Sequence, residues 1–350
     1  MNARPPSLNN LLQEVSRSFY LTLRVLPGAV RAPIGLAYLL ARATDTIADT
    51  ELVPVAQRLE ALRALRGRIL GRSRLPLDFS ELARHQGAGA GPPGSPSERT
   101  LLERIEEILG ALEECSPPDQ KLLRDVLDTI TSGQELDLER FDGATVARIV
   151  ALAGAAELAD YTYRVAGCVG EFWTRICRAH LFPRAPLDEA ALLADGIRFG
   201  QGLQLVNILR DLPADLRAGR CYVPAAALQA HGLCPADLLD PANARRFRPL
   251  YLALLAQADA HLAAGWAYTN ALPRGCVRVR LACAWPILIG VKTLARLRVE
   301  NVLEASRRVK VTRAEVRQLM LRSVLAYPRP RAWQRLFAQA GGGSVERRTD

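Results

Sequence analysis

With 350 residues and 49% hydrophobic content, the chain can bury a large core, which excludes an intrinsically disordered protein. No run of 18 uncharged apolar residues occurs. The nearest, Leu281 to Val291, is broken by Pro286 and Gly290 and ended by Lys292, so a membrane-spanning helix is excluded. Forty-six Lys and Arg against 36 Asp and Glu give a formal charge of +10, which suits an anionic partner.

In chain order, Pro27-Gly28 closes a first helix. From Tyr38 to Asp49 the pattern predicts a second helix with one polar stripe. Tyr38, Arg42, Asp45 and Asp49 step by four, three and four, and at about 100° per residue they stay within roughly a 60° arc. The run Ile34 to Leu40 beside them is apolar where a solvated face would carry Lys and Glu. Pro54 opens a third helix. A flexible loop is expected at 85–98, centred on Gly87 to Gly94. Its formal G-x-G-x-x-G at Gly89, Gly91 and Gly94 follows no strand and holds prolines, so a Rossmann cradle is excluded.

Ser116-Pro117 offers an N-cap followed by proline at the first helical position. A long helical stretch runs from Asp142 to His180, interrupted by Gly154, Gly167 and Gly170, which suit close helix packing or room for a chain-like substrate. Further on, Gln204, Asn207, Asp211 and Asp215 form a second polar stripe, within roughly an 80° arc. Pro213 falls inside this pair, removing a backbone donor and crowding the carbonyl four residues earlier. A kink or stop is expected there, with Asp215 displaced from the stripe. The last ten or so residues, about 340–350, read as a disordered tail.

Helical periodicity prevails, alternating β-branched runs are absent and no linker separates two apolar halves, so one all-α domain is expected over 1–350. Seven cysteines without C-x-x-C or clustered histidines support neither a zinc site nor a disulfide framework, and suit a reduced, cytoplasmic setting. No signal peptide is apparent. Nucleic-acid binding lacks a motif and a basic-aromatic platform, whereas peripheral contact with an anionic membrane fits the charge. Carboxylates four apart on a helix repel unless a cation bridges them, and all-oxygen ligand sets suit Mg²⁺ holding a phosphorylated substrate. A single D-x-x-x-D is common on charged helices. Two copies in matching apolar surroundings point to a metal-diphosphate enzyme.

Ser16-Arg17-Ser18-Phe19, Tyr38 to Asp49, the Tyr161 to Gly167 motif Y-x-Y-R-V-A-G, and Gln204 to Asp215 with Gly219-Arg220 and Pro224 resemble, in order and spacing, the squalene and phytoene synthase family. The resemblance runs from about residue 11 to about 315. It implies an isoprenoid-synthase helical fold with a central active-site cavity. Asp45, Asp49, Asp211 and Asp215, with Asn207, match its metal-binding positions. Ser16, Arg17, Ser18, Tyr38, Arg42, Gln204, Arg210 and Arg220 match positions that hold diphosphate. Tyr161 matches the family tyrosine near the reacting carbons, and Tyr163 is expected to be packing.

The reaction so implied joins two farnesyl diphosphates head to head through presqualene diphosphate to squalene, with Mg²⁺ and NADPH, in a monomer. Cys283 to Pro286, Thr293 to Ala295 and Val309 to Val311 resemble squalene synthases more than phytoene synthases. Relatives that stop at presqualene diphosphate, or make dehydrosqualene or phytoene, are the alternatives. A non-catalytic scaffold is disfavoured, because both aspartate pairs and the matching arginines are present.

Overall fold

The computed structural model describes residues 8–16, 19–85, 96–304 and 309–342. By their contacts these fall into two compact units, Met1–Asp142 with Arg175–Pro183, and Gly143–Thr174 with Arg184–Asp350. Both are helical, as the periodicity predicts.

The first unit contains α1 (Leu8–Ser16), α2 (Phe19–Val25), α3 (Gly28–Ala48), α4 (Val55–Ile69), α5 (Ser80–His85), α6 (Pro96–Glu103), α7 (Ile105–Glu113) and α8 (Pro117–Arg140). Two helices rather than one precede Pro27, and Pro27 is the N-cap of the aspartate helix rather than the end of its predecessor. Its fixed φ leads into a helix while its missing N–H forfeits nothing there. Ser116 caps α8 as expected, accepting from the Asp119 N–H at 3.4 Å. Four of the residues expected in the glycine-rich loop belong to helices, 85 to α5 and 96–98 to α6. Residues 86–95 lie outside the described residues.

The core of this unit follows from helical spacing. Leu40, Ala43 and Ile47 of α3, Leu62, Leu65 and Ile69 of α4, and Leu123 and Leu127 of α8 are all essentially solvent-free. Each such leucine or isoleucine contributes about 1.5–3 kcal/mol of burial. α3 is buried on all sides from Pro33 to Ala37, and beyond that Tyr38, Arg42, Asp45 and Asp49 stay at least partly exposed.

The second unit contains β1 (Val150–Ala151), α9 (Ala155–Thr162), a π-helical turn at Tyr163–Gly167, and α10 (Cys168–Leu181), whose residues from Arg175 onward group with the first unit. There follow α11 (Glu189–Arg217), β2 (Arg220–Cys221), α12 (Ala225–Ala230), α13 (Ala244–Ala271), α14 (Val277–Leu297), α15 (Arg313–Ala326) and α16 (Pro330–Ala340). Ala340, the first residue expected in the tail, is the last of α16. Residues 343–350 lie outside the described residues. The two short strands pair in parallel, Val150 with Arg220 and Ala151 with Cys221, a detail too short to leave a sequence pattern.

Small residues bring α11 against the chain before it. A Cβ on Gly170 would sit 1.8 Å from the Gly196 carbonyl oxygen, and one on Gly200 would sit 2.1 Å from that of Ala166. Gly154, by contrast, has nothing within 4 Å. Of the three glycines singled out between Asp142 and His180, Gly167 and Gly170 serve close packing and Gly154 does not.

Pro213 does not end its helix. α11 runs through it to Arg217, because the carbonyl it deprives of a donor, that of Leu209, accepts instead from the Tyr251 hydroxyl at 3.1 Å. Tyr251 lies on α13, is 3% exposed, and so delivers its donor to a place water does not reach. Removing that hydroxyl in Tyr251→Phe leaves a buried acceptor orphaned. A loss of about 1–3 kcal/mol is expected in denaturant unfolding, and an unchanged midpoint would refute this account of the proline.

Candidate active site

On α3 the first stripe forms as the spacing predicts. Asp49 is the C-cap residue, and its N–H still bonds the Asp45 carbonyl at 2.8 Å, so the two carboxylates keep helical succession. The side chain of Asp45 is 48% exposed. Its carboxyl is pushed up to about 7, first by loss of solvent and then by the charge of Asp49, with Arg42 and a hydrogen bond from Gln134 pulling it partway back. Two carboxylates that repel in this way could share a divalent cation.

Around them the polar groups are partly committed. Arg42 donates to Glu98, itself buried, and lies 3.8 Å from Asp45. The Gln134 amide donates to Asp45 Oδ1. The Tyr38 hydroxyl donates to the Val15 carbonyl at 3.4 Å, beside Ser16. Three buried atoms near this stripe lack a hydrogen-bond partner: Ser16 Oγ, Arg42 Nε and Gln134 Oε1. Buried donors without acceptors are costly, and the first two are of the kind a phosphate oxygen would satisfy. Arg17 and Ser18 lie outside the described residues.

The second stripe lies on α11. Leu205, Val206, Ile208, Leu209, Leu212 and Leu216 are buried, and the polar residues occupy the remaining face. Since the helix continues through Pro213, Asp215 stays in succession with Asp211, and the expected displacement does not occur. Arg210 forks onto the Asp211 carboxylate, with Nε at 3.0 Å from Oδ1. Arg220 stands 3.9 Å from Asp215. Upstream, the Asn207 amide donates to Gln204 Oε1 and the Gln204 amide to the Tyr161 hydroxyl, both at 3.5 Å. Tyr161 stacks on Tyr222 with ring centroids 4.6 Å apart.

Local backbone chemistry sets Arg220 in place. Gly219 has φ +80, and a Cβ there would fall 2.4 Å from the Thr145 nitrogen, so only glycine fits this corner. The Gly219 carbonyl accepts from Val150 N at 2.9 Å and the Cys221 carbonyl from Leu152 N at 3.1 Å, which clamps Arg220 between two strand hydrogen bonds. Tyr163, expected to be packing, opens the π turn and donates to Glu171 Oε2 at 3.2 Å.

Four participants escape sequence reasoning: Glu98, Gln134, Tyr222 and Tyr251. Glu98 and Gln134 act on residues 56 and 89 positions away, distances over which no spacing rule applies. A glutamine set among Leu127, Ile130 and Thr131 on the buried face of α8 is the nearest thing to a signal.

Among the described residues no group of three or more His, Cys, Asp or Glu side chains forms a metal cage by itself. Each aspartate pair supplies two carboxylates. That fits Mg²⁺, which keeps water and substrate phosphate oxygens as its other ligands instead of an all-protein cage.

A family model described as squalene/phytoene synthase matches residues 12–315. The "Bifunctional lycopene cyclase/phytoene synthase" of Colletotrichum graminicola is 28% identical over 71% of this chain and 39% of its own length. The "Botryococcus squalene synthase" of Botryococcus braunii is 27% identical over 89% of this chain and 61% of its own. The chain thus spans about two fifths to three fifths of these relatives. A solved complex of TcSQS with the ligand E5700 superposes with a TM-score of 0.72, covering 95% of this chain and 88% of that one at 21% identity, a likeness of fold.

Proposed function

This chain belongs to the squalene/phytoene synthase family, and on that premise we propose that it condenses two farnesyl diphosphates head to head, through presqualene diphosphate, to squalene. The observation that carries the reading is the pair of aspartate stripes, one on α3 and one on α11, each set in an apolar helix with arginines beside it.

Asp45 with Asp49, and separately Asp211 and Asp215 with Asn207, would each hold Mg²⁺, which when bound neutralises diphosphate oxygens and eases their departure. The chain's own groups do the positioning. Arg42, fixed by Glu98, keeps its Nε donor for an acceptor the protein does not supply, and Ser16 offers a hydroxyl on the same terms. Arg210 and Arg220 sit ready to exchange carboxylate for phosphate, a bidentate task suited to guanidinium. Arg17, Ser18 and Tyr38 complete the proposed diphosphate-binding set with Gln204.

Departure of diphosphate from one farnesyl chain leaves an allylic cation, which the double bond of the other attacks. Loss of a proton then closes the cyclopropane of presqualene diphosphate. Tyr161 is the proposed proton carrier. Its hydroxyl accepts from Gln204, which turns the phenol toward α11, and stacking on buried Tyr222 limits its rotation. Its ring face can also steady a cation.

For the second half-reaction NADPH is proposed as reductant. The support is the resemblance of Cys283 to Pro286, Thr293 to Ala295 and Val309 to Val311 to squalene synthases. No residue is assigned to it, and the two-residue strands offer no dinucleotide cradle. Phytoene synthase chemistry on C20 diphosphates is the second reading, favoured by the identity to the Colletotrichum relative.

Product analysis by mass spectrometry decides between them. With farnesyl diphosphate and Mg²⁺ alone, presqualene diphosphate or unreduced C30 products should accumulate. Adding NADPH labelled at the 4-position should convert the output to labelled squalene. An identical profile with and without NADPH removes the squalene assignment, and turnover of geranylgeranyl diphosphate alone would install the phytoene reading.

A further inference from the structure

Helix α15 has an apolar face that the described residues leave uncovered. Its inward side is anchored: Ser323 and Ala326 are buried, and the Ser323 hydroxyl accepts from Trp285 Nε1 of α14 at 2.9 Å. The next helix, α16, is held just as firmly, with Trp333 Nε1 donating to Asn270 Oδ1 at 2.8 Å and Arg280 lying over the Tyr327 and Trp333 rings. Leu321, Val324 and Leu325, spaced three and four apart on the opposite face of α15, are 61%, 47% and 57% exposed. The helix is long enough to present them as a stripe, and since its inward side is already packed they are not part of the unit's own core.

The charge around this stripe is one-signed. From 313 to 340 the chain carries Arg313, Arg317, Arg322, Arg329, Arg331 and Arg335, all exposed, against the single acid Glu315. That acid is already claimed by Arg296 at 2.6 Å and Lys292 at 3.0 Å, and by its capping box with Thr312. A second protein surface would have to bring its own dense acidic patch. A bilayer with anionic headgroups supplies both requirements at once, an apolar layer for three aliphatic side chains and negative charge for the arginines that flank them.

We propose that the outer face of α15 is a membrane-docking surface, seating Leu321, Val324 and Leu325 among the acyl chains of an anionic bilayer with Arg317 and Arg322 at its headgroups. The proposal is independent of the reaction above, since it uses none of the residues of either aspartate stripe.

Co-sedimentation of the full chain with vesicles tests it, using phosphatidylcholine alone and phosphatidylcholine mixed with phosphatidylglycerol. The chain should pellet with the mixed vesicles and not with the neutral ones, and release when salt rises from about 0.1 M to about 1 M. The double variant L321E/L325E should lose binding at least about tenfold with unchanged helical circular dichroism. Should that variant fold poorly, R317A/R322A, which introduces two better helix formers, should weaken binding to the mixed vesicles by about tenfold or more. Three results overturn the proposal: no binding by the parent chain, binding undiminished in both variants, or an L321E/L325E variant that instead dissociates an oligomer in sedimentation equilibrium.

Discussion

Asp45→Asn and Asp211→Asn should each lower turnover about 10²–10³-fold, the loss that follows when charge stabilisation is removed from a leaving group. Neither should unfold the protein. For Asp45 the expectation is stronger, because loss of solvent and the charge of Asp49 push its carboxyl up to about 7 from an ordinary 3.8. A carboxyl whose folded value is raised costs stability as pH climbs from the lower value through the upper one, so above pH 7 the metal-free fold carries a negative charge that Arg42 and Gln134 only partly offset. Asparagine removes that charge. The variant should therefore melt at or above the parent's temperature at mildly alkaline pH without Mg²⁺, and Mg²⁺ with diphosphate should raise the parent's melting temperature more than the variant's. Asp215→Asn should be as damaging as Asp211→Asn, since α11 keeps both in succession. Near-parent turnover in Asp45→Asn and Asp211→Asn together would sink the metal assignment.

Gly170→Ala should be the most destabilising single methyl in the second unit. The added carbon would meet the Gly196 carbonyl at 1.8 Å, backbone against backbone, and no side chain can swing away to make room. Relief requires α10 and α11 to separate, which places the cost at or above the upper end of the overpacking range of about 1–3 kcal/mol. Gly110→Ala is the matched control. It lies inside α7 with nothing within 4 Å of its added carbon, and should raise stability by about 0.5–1 kcal/mol through helix propensity alone. Equal unfolding midpoints for the two variants would show that the close approach of α10 and α11 relaxes easily.

Both stripes were legible because helical spacing is a local property. Tyr38 to Asp49 and Gln204 to Asp215 lie in single helices whose apolar neighbours mark the buried side. What was not legible depends on partners distant in sequence. Glu98 holds Arg42 from α6, in a segment whose glycines and prolines suggested a loop, and Pro96 turns out to start a helix instead of prolonging one. The corner at Gly219 depends on Thr145, and the orientation of Tyr161 on Tyr222. The π turn at Tyr163–Gly167 defeats a 100° count by holding an extra residue. At Pro213 the reason is the same: the rule that proline breaks a helix assumes that its freed carbonyl finds no other donor, and here Tyr251 supplies one.

That donor, the Tyr251 hydroxyl, enters the chain only 42 positions after the carbonyl it satisfies. During synthesis the segment around Pro213 is therefore complete long before its helix can be. Until Tyr251 has been made and α13 has packed along α11, the Leu209 carbonyl in the turn that leads to Asp215 has no donor. The second aspartate pair is a product of tertiary assembly, whereas Asp45 and Asp49 sit on a helix with no proline between them. The first pair thus rests on hydrogen bonds local to its helix, and the second draws in addition on a donor from α13.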